Sequence, residues 1–347
     1  MKATSKAGRL DNLVPLKKGL YGEQTAGWTP GRPAMEGLGC VLLADQMIPV
    51  APGVSLASDI YLPKVPGRYP VVVVFAAYTK ELHTSGLPAG TNEVGSPPVF
   101  TDRGYVHMIV ARRGMGRSGG KMEVFFGDCE TTDLERVISW ASSQPWCNGQ
   151  VVMFGTSYYG CVQPLVAVRN PPALKAFFSI EMCTDYFRHI AQFGGAPALY
   201  FFSVWMGANF SKGVVQLRVP PVLRAIVSQI LNSRFKSFWW PRFQKRLPAL
   251  MRAMARQTPV REVREMWVNW IIDGKTRDTH SIPPGPYAEL DKITIPFVTV
   301  QNLGQFNLHQ FGSYELFEKA STPVNRKWLI IAPPSYKLPV YEWQLEA

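Results

Sequence analysis

The sequence predicts an α/β protein with a mostly parallel sheet and a helical insertion, which we call the cap. Apolar segments typical of buried strands alternate with segments of helical spacing, as in a parallel sheet covered by helices. The alternation breaks between residues 185 and 290 and then resumes, as expected when an insertion separates two parts of one sheet. With 347 residues, 46% hydrophobic and 18% charged, the chain suits one large globular domain with an insertion, or two domains.

The amino-terminal part of the sheet is predicted from three apolar segments. Residues 1–40 are rich in glycine, proline and lysine and predict an irregular arm. Val54–Pro63 alternates apolar and polar residues, which is typical of a half-buried strand. Tyr69–Tyr78 contains an unbroken run of valines, which is typical of a parallel strand buried on both faces. His107–Arg113 predicts another buried strand.

The middle of the chain continues the alternation. Cys129–Gln144 predicts a helix, because its apolar residues recur at helical spacing and acidic residues occupy its first turns, where the helix dipole favours them. A strand follows over Gly149–Gly155, and a helix begins at about Tyr158. Ala173–Ile180 predicts the next strand, which completes the first part of the core.

The carboxyl-terminal part resumes with a strand over Ile293–Asn302, a helix around Gly312–Ala320 and a strand over Arg326–Pro333. We therefore predict four segments: the arm (1–40), the first part of the α/β core (41–184), the helical cap (185–290) and the last part of the core (291–347). An insertion of this kind typically lies over the carboxyl ends of the strands, where α/β sheets bind ligands.

Ser157 is the candidate nucleophile. It lies in the run GTSYYG from Gly155 to Gly160, between a predicted strand and a predicted helix. Small neighbours permit a sharp turn, and the following helix directs its backbone N–H groups at any oxyanion that forms. The strict pattern G-x-S-x-G is one residue shorter, so the motif is weak alone and is strengthened by its place between strand and helix.

The segment QPWCNGQVVMFGTSYYG, from Gln144 to Gly160, resembles the nucleophile region of the CocE/NonD and X-prolyl dipeptidyl-peptidase family of α/β-hydrolases. The loop RGMGRSGG, from Arg113 to Gly120, is similar to another motif of that family, and the resemblance extends over about residues 45–335. It implies an α/β-hydrolase fold with Ser157 as nucleophile. It also implies an oxyanion hole formed by the backbone N–H of Tyr158 and the hydroxyl of Tyr78.

The base and the acid of the triad depart from the family pattern. The family's last strand leads to a histidine, whereas Ser335 and Tyr336 occupy that region here, and no histidine follows His309. His309 lies after the penultimate strand, in a loop without aspartate, and is the candidate base. His189 and His280 lie at the entry to the cap and at its exit. Three carboxylates near strand or helix ends remain open as the orienting acid: Asp128, Glu181 and Asp185.

These departures leave three interpretations open. His309 serves as the base without a clear acid, or the chain is a degenerate hydrolase, or it is shortened and lacks the family's carboxyl-terminal β-sandwich domain. Our leading hypothesis is a serine hydrolase that cleaves an ester or amide of a small apolar molecule, since aromatic residues in the cap suit an apolar pocket. The alternative is a non-hydrolytic protein of the same fold that binds, isomerises or cyclises an apolar metabolite.

Charge and cysteine content restrict the remaining classes. The net charge is +12, and the cap segment Arg218–Arg256 contains nine Lys or Arg and no Asp or Glu, so a peripheral membrane-surface protein is a third hypothesis. No nucleic-acid recognition motif accompanies the charge. The five scattered cysteines predict free thiols in a reducing, cytoplasmic compartment, and no pair has metal-ligand spacing. We expect no cofactor and no metal, and a homodimer is left open.

Overall fold

The computed structural model describes residues 40–76, 78, 80, 93–193, 196–197, 285–302, 309 and 311–332. The strands are β1 (Cys40–Ala51), β2 (Val54–Pro63), β3 (Tyr69–Ala76), β4 (Val106–Ala111), β5 (Cys147–Thr156), β6 (Leu174–Ile180), β7 (Gln192–Phe193), β8 (Ala196–Pro197), β9 (Phe297–Asn302) and β10 (Lys327–Ala332). The α-helices are α1 (Pro97–Thr101), α2 (Asp128–Ser142), α3 (Tyr158–Ala167) and α4 (Gly312–Lys319). Shorter helical turns span Phe187–Ala191, Pro286–Lys292 and Val324–Arg326.

Eight of these strands form one sheet in the order β1-β2-β4-β3-β5-β6-β9-β10. β1 pairs antiparallel with β2, and β2 pairs antiparallel with β4. All pairs from β4 to β10 are parallel. The predicted α/β-hydrolase fold with its mostly parallel sheet is confirmed. Strands from both sides of the predicted cap join this sheet, because β6 pairs with β9.

The sheet is buried in its middle, as the valine run predicts. The side chains Val71–Val74 of β3 are at most 3% exposed. Helix α2 buries the four apolar residues whose spacing predicted it: Leu134, Val137, Ile138 and Ala141. Helix α3 is almost wholly buried between the sheet and the rest of the core, since nine of its ten residues are buried. This burial holds the amino end of α3 in a fixed position above the sheet.

Strand β1 was missing from the sequence-based strands. It pairs with β2 through a two-residue turn that contains Gly53 at φ 70°, a conformation that glycine tolerates. The pairing is interrupted between Leu43 and Gln46, where Asp45 has φ 53°. Most of its side chains are partly or fully exposed. An irregular edge strand of this kind carries no clean alternation for a sequence pattern to detect.

The carboxyl edge of the sheet positions the candidate site. Thr156 at the end of β5 is in register with Ile180 of β6, and Ile180 is in register with Val300 of β9. Adjacent strands lie about 4.8 Å apart. The residues that come next, Ser157 and Glu181, therefore follow their strands side by side.

The predicted arm and nearly all of the predicted cap lie outside the described residues, and so do His83, His280, Ser335 and Tyr336. The boundaries 1–40 and 185–290 therefore stay predictions. Within the ranges that the structure describes, no helix has both the length and the apolar character needed to cross a membrane.

Candidate active site

Ser157 forms the turn between β5 and α3. Its backbone has φ 61° and ψ −119°, a conformation that is rare for residues other than glycine and that concentrates at functional sites. Its N–H donates to the carbonyl of Ile180 at 2.9 Å, and its own carbonyl accepts from the N–H of Cys161 at 2.8 Å. The side chain is half-buried. These are the features of a nucleophile elbow, in which a strained turn presents the hydroxyl above the sheet.

Two glycines make the turn possible. A Cβ on Gly155 would lie 2.3 Å from the Cβ of Tyr159. A Cβ on Gly160 would lie 2.8 Å from the carbonyl oxygen of Ile180. Both distances are shorter than van der Waals contact, so α3 approaches β5 and β6 this closely only with glycine at both positions. The spacing G-x-S-x-x-G is therefore a packing requirement of this turn.

Tyr158 begins α3, and its side chain is directed away from solvent. The phenol donates to the carboxylate of Glu130 at 2.8 Å and accepts from Nη1 of Arg112 at 3.3 Å. Arg112 is fully buried and also donates to the carbonyls of Glu123 and Val124. Burial, and then the neighbouring Glu130, raise the pKa of the Tyr158 phenol well above its usual value. The side chain thus anchors the helix start, and only the backbone N–H of Tyr158 remains as a candidate oxyanion donor.

Tyr78 lies two residues beyond the end of β3 and packs on the amino end of α3. Its ring centroid is 6.1 Å from that of Tyr158 and 5.6 Å from that of Tyr159. The side chain is 6% exposed. The structure therefore packs the ring of Tyr78 on the side chains of Tyr158 and Tyr159, at the amino end of the helix whose first backbone N–H is the other predicted member of the oxyanion hole.

His309 is buried in the loop between β9 and α4. Its backbone has φ 61°, and its carbonyl accepts from the amide of Gln301 at 2.7 Å. Its ring lies with the sulfurs of Cys161 and Cys183, and the candidate ligand atoms of the three residues are all within 4.8 Å of one another. Burial, and then the neighbouring His189, lower the pKa of His309 to about 3.

The relation of His309 to the nucleophile is indirect. Cys161 follows Ser157 by one helical turn, which rises about 5.4 Å. The imidazole thus lies beside the helix that carries Ser157. Among the described residues, no hydrogen bond joins the Ser157 hydroxyl to the His309 ring.

Glu181 is a site residue that the sequence left among three open carboxylates. It follows β6 with φ 49°, is 6% exposed and has a side-chain hydrogen bond with Asn302 at the end of β9. Burial raises the pKa of Glu181 to about 7, although the hydrogen bond with Asn302 opposes the rise. A carboxyl that titrates near neutral pH at the carboxyl edge of the sheet is suited to proton transfer.

The other two carboxylates have different environments. Asp128 is exposed and pairs with Arg169 at 2.8 Å on the surface. Asp185 is buried, and its carboxylate pairs with Arg188 at 3.0 Å. Glu181, in contrast, directly follows β6, beside the end of β5 from which Ser157 projects. The signal in the sequence that points to Glu181 is its position directly after a predicted strand.

His189 belongs to a buried polar cluster beside the site. Its Nδ1 accepts from the backbone N–H of Thr184 at 3.3 Å, and its Nε2 is 3.4 Å from the carboxylate of Glu315. Burial opposes ionisation of Glu315, but hydrogen bonds with His189, Thr184 and Arg188 lower its pKa to about 2. These contacts connect α4 to the segment after β6. His107, in contrast, stacks on Phe100 in the core, as the sequence predicts.

Comparison with known proteins gives one family match and several relatives. A model of the X-Pro dipeptidyl-peptidase (S15) family matches residues 52–335. The cocaine esterase of Rhodococcus is 34% identical over 142 residues, which are 41% of this chain and 24% of the esterase. A putative serine esterase of Mycobacterium bovis is 29% identical over 167 residues, 44% of this chain and 26% of its own. These matches span about a quarter of the curated relatives' lengths.

A solved structure agrees with the fold. A CocE/NonD family hydrolase from Staphylococcus aureus is similar with a TM-score of 0.57 and 25% identity, over 84% of this chain and 46% of that protein. The resemblance of the sequence to the CocE/NonD and X-prolyl dipeptidyl-peptidase family is therefore confirmed by the family match and by the structural neighbour.

Proposed function

The chain belongs to the X-Pro dipeptidyl-peptidase (S15) family of α/β-hydrolases, and from this premise we propose that it hydrolyses an ester or amide through an acyl-enzyme on Ser157. The observation that supports the proposal most strongly is the strained backbone of Ser157, with φ 61°, between β5 and α3. A residue other than glycine adopts that conformation at a cost of about 1–3 kcal/mol, and such strain persists where presentation of a side chain requires it.

The chemistry follows from the groups around this turn. The Ser157 hydroxyl attacks the substrate carbonyl, its proton passes to a base, and the carbonyl oxygen becomes an oxyanion. We assign stabilisation of that oxyanion to the backbone N–H of Tyr158 and the hydroxyl of Tyr78. The positive end of the α3 dipole adds to it. The oxyanion then collapses, the bond to the alcohol or amine breaks, and that group leaves with the proton that the base returns, while the acyl group stays on Ser157. Water then attacks the acyl-enzyme and releases the acid and the free serine.

His309 is the proposed base, because it is the one histidine that the sequence has after Asn302, the last residue of β9. Its lowered pKa keeps the ring neutral at neutral pH, which is the form that accepts a proton. The same lowered pKa makes it a weak acceptor, and substrate binding has to offset this. Glu181 is the second candidate, because its pKa of about 7 matches the working range of a general base.

Covalent labelling tests the proposal. A fluorophosphonate probe should label the wild type and not Ser157→Ala, while Ser143→Ala, at the exposed end of α2, serves as the matched control and should label normally. His309→Gln and Glu181→Gln then identify the base, since the variant that lacks the base should label much more slowly. A folded wild-type protein that takes no label would contradict the proposal.

The second candidate function is a non-hydrolytic protein that binds or isomerises an apolar metabolite. It is favoured by the environment of His309, whose ring lies against two cysteines and whose pKa is about 3. Native mass spectrometry of the purified protein is the discriminating measurement. A retained small molecule together with no labelling of Ser157 would support this candidate over the hydrolase.

A further inference from the structure

Two cysteines and one histidine form a buried cluster beneath the nucleophile. Cys161 lies in α3, Cys183 lies in the segment after β6, and His309 lies in the loop after β9. The sulfurs of Cys161 and Cys183 are 2.9 Å apart. Each sulfur and the ligating nitrogen of His309 lie within 4.8 Å of one another, and all three residues are buried. The backbone N–H of Cys183 also donates to the sulfur of Cys161 at 3.3 Å.

The composition of the cluster is that of a zinc site. Zn²⁺ binds thiolate at about 2.3 Å and imidazole nitrogen at about 2.0–2.1 Å, and sites with three protein ligands keep a fourth position open. Two thiolates around a tetrahedral zinc lie about 3.8 Å apart. The sulfurs of Cys161 and Cys183 would therefore separate by about 1 Å on binding. The imidazole of His309 offers one ring nitrogen as the third ligand atom beside the two sulfurs.

The support around the cluster is consistent with this role. The N–H of Cys183 is aimed at the sulfur of Cys161, and such donors stabilise a thiolate. The side-chain amide of Gln301 donates to the backbone carbonyl of His309 at 2.7 Å, which holds the backbone of His309 at the end of β9. A disulfide between the two cysteines would explain the sulfur contact. It would give no reason for an imidazole placed against both sulfurs.

We propose that Cys161, Cys183 and His309 bind Zn²⁺, and that the bound metal inhibits the hydrolase by removing His309 from proton transfer. Binding replaces two S–H bonds by two S–Zn bonds and releases two protons to solvent, with no change in oxidation state. The inhibition rests on the proposed function, in which His309 is the base. Zinc binding by the three residues does not depend on the proposed function.

Zinc binding is measured on the full chain, kept reduced and freed of metal by a chelator. After addition of Zn²⁺ and desalting, we expect one zinc per wild-type chain by elemental analysis. Competition with a chromophoric chelator should show that the zinc affinity is weaker by on the order of a hundredfold or more in Cys161→Ala, Cys183→Ala and His309→Ala. Loss of a metal ligand should weaken zinc binding at least as much as loss of a group that only hydrogen-bonds to a ligand. Cys147→Ala, a buried cysteine in β5, is the matched control and should bind like wild type.

Cobalt gives a second readout that does not depend on activity. Co²⁺ bound by the wild type should show the near-ultraviolet charge-transfer absorption of cobalt–thiolate bonds, and this absorption should be lost in Cys161→Ala and Cys183→Ala. Zinc retention equal in wild type and in the three ligand variants would overturn the site. A Cys161–Cys183 disulfide found by peptide mass analysis in protein purified under reductant would overturn it as well.

The outcomes separate this inference from the proposed function. Zinc binding with loss of fluorophosphonate labelling supports both halves of the inference. Zinc binding with undiminished labelling overturns the inhibition and the role of His309 as base. Labelling of Ser157 without zinc binding overturns the metal site and leaves the hydrolase intact. Zinc binding to a protein that never labels overturns the hydrolase and the inhibition that rests on it, and leaves the zinc site in place.

Discussion

Replacement of Glu181 by glutamine should make the protein more stable above neutral pH. Burial raises the pKa of this carboxyl from 4.5 to about 7, so the folded protein disfavours its charged form. One pKa unit corresponds to about 1.4 kcal/mol, so a rise of this size amounts to about 3 kcal/mol. Glutamine keeps the shape and the hydrogen bond with Asn302 but has no charge to bury.

The sign of the pH dependence follows from proton uptake. Between pH 4.5 and 7 the folded state binds more protons at Glu181 than the unfolded state does. The free energy of unfolding therefore falls as pH rises through this window, and the penalty is complete above the folded pKa. Well below pH 4.5 the carboxyl is protonated in both states, and the stability difference between Glu181→Gln and wild type no longer changes with pH. At pH 8 the variant should be more stable by about 3 kcal/mol.

Urea denaturation at a series of pH values measures this difference directly. Glu318→Gln, at an exposed position in α4, is the control for loss of a glutamate. A difference between Glu181→Gln and wild type that stays constant from pH 4 to pH 8 would refute the argument, since a constant difference cannot come from titration. The same variant has a catalytic readout: if Glu181 is the base, the wild-type kcat rises with pH to a plateau above about 7, and the variant loses that rise.

Three further predictions test other parts of the site. Tyr78→Phe should lower kcat by about 10²–10³-fold with little change in KM, because the tyrosine hydroxyl would stabilise an oxyanion that exists only in the transition state. Steady-state kinetics measures both constants, and an unchanged kcat would show that Tyr78 is not part of the oxyanion hole. Gly160→Ala should destabilise the fold by about 1–3 kcal/mol and reduce labelling of Ser157, because the new Cβ would collide with the carbonyl oxygen of Ile180. Thermal melting measures the stability and the fluorophosphonate probe measures the labelling, and a variant as stable as wild type would contradict the packing argument. The segment Arg218–Arg256 should bind anionic vesicles in a salt-sensitive way; co-sedimentation at low and high salt tests this, and equal binding to neutral vesicles would contradict an electrostatic contact.

Most strands and the nucleophile turn could be predicted from short stretches of sequence. The valine run in β3 predicts burial on two faces and the alternation in β2 predicts burial on one, and both segments form strands where predicted. The half-burial predicted for β2 is wrong, because the five consecutive residues Leu56–Ile60 are all buried. The run from Gly155 to Gly160 specifies a sharp turn because only glycine fits the close approach of α3 to its neighbours. The strands follow from a side-chain period and the turn follows from a short glycine motif, and both can be read in a local stretch of sequence.

The properties of the proton-transfer groups depend on residues that are distant in the chain. Glu181 has a raised pKa because β9 and its surroundings bury it, and His309 has a lowered pKa because it is enclosed beside His189. The sequence therefore offered His309 as a base without its environment and left Glu181 among three carboxylates. Desolvation is a property of the packed neighbourhood, and a linear pattern does not carry it.

The sequence by itself determined that this protein has an α/β sheet, a serine at a strand-to-helix turn and membership in a hydrolase family. Only the tertiary structure decided that Cys161, Cys183 and His309 meet, since they come from α3 and from two different loops with no metal-ligand spacing between them. The register of β5, β6 and β9 brings those segments to one edge of the sheet. Backbone hydrogen bonds between strands far apart in sequence set that register, and for this reason the cluster was absent from any local motif.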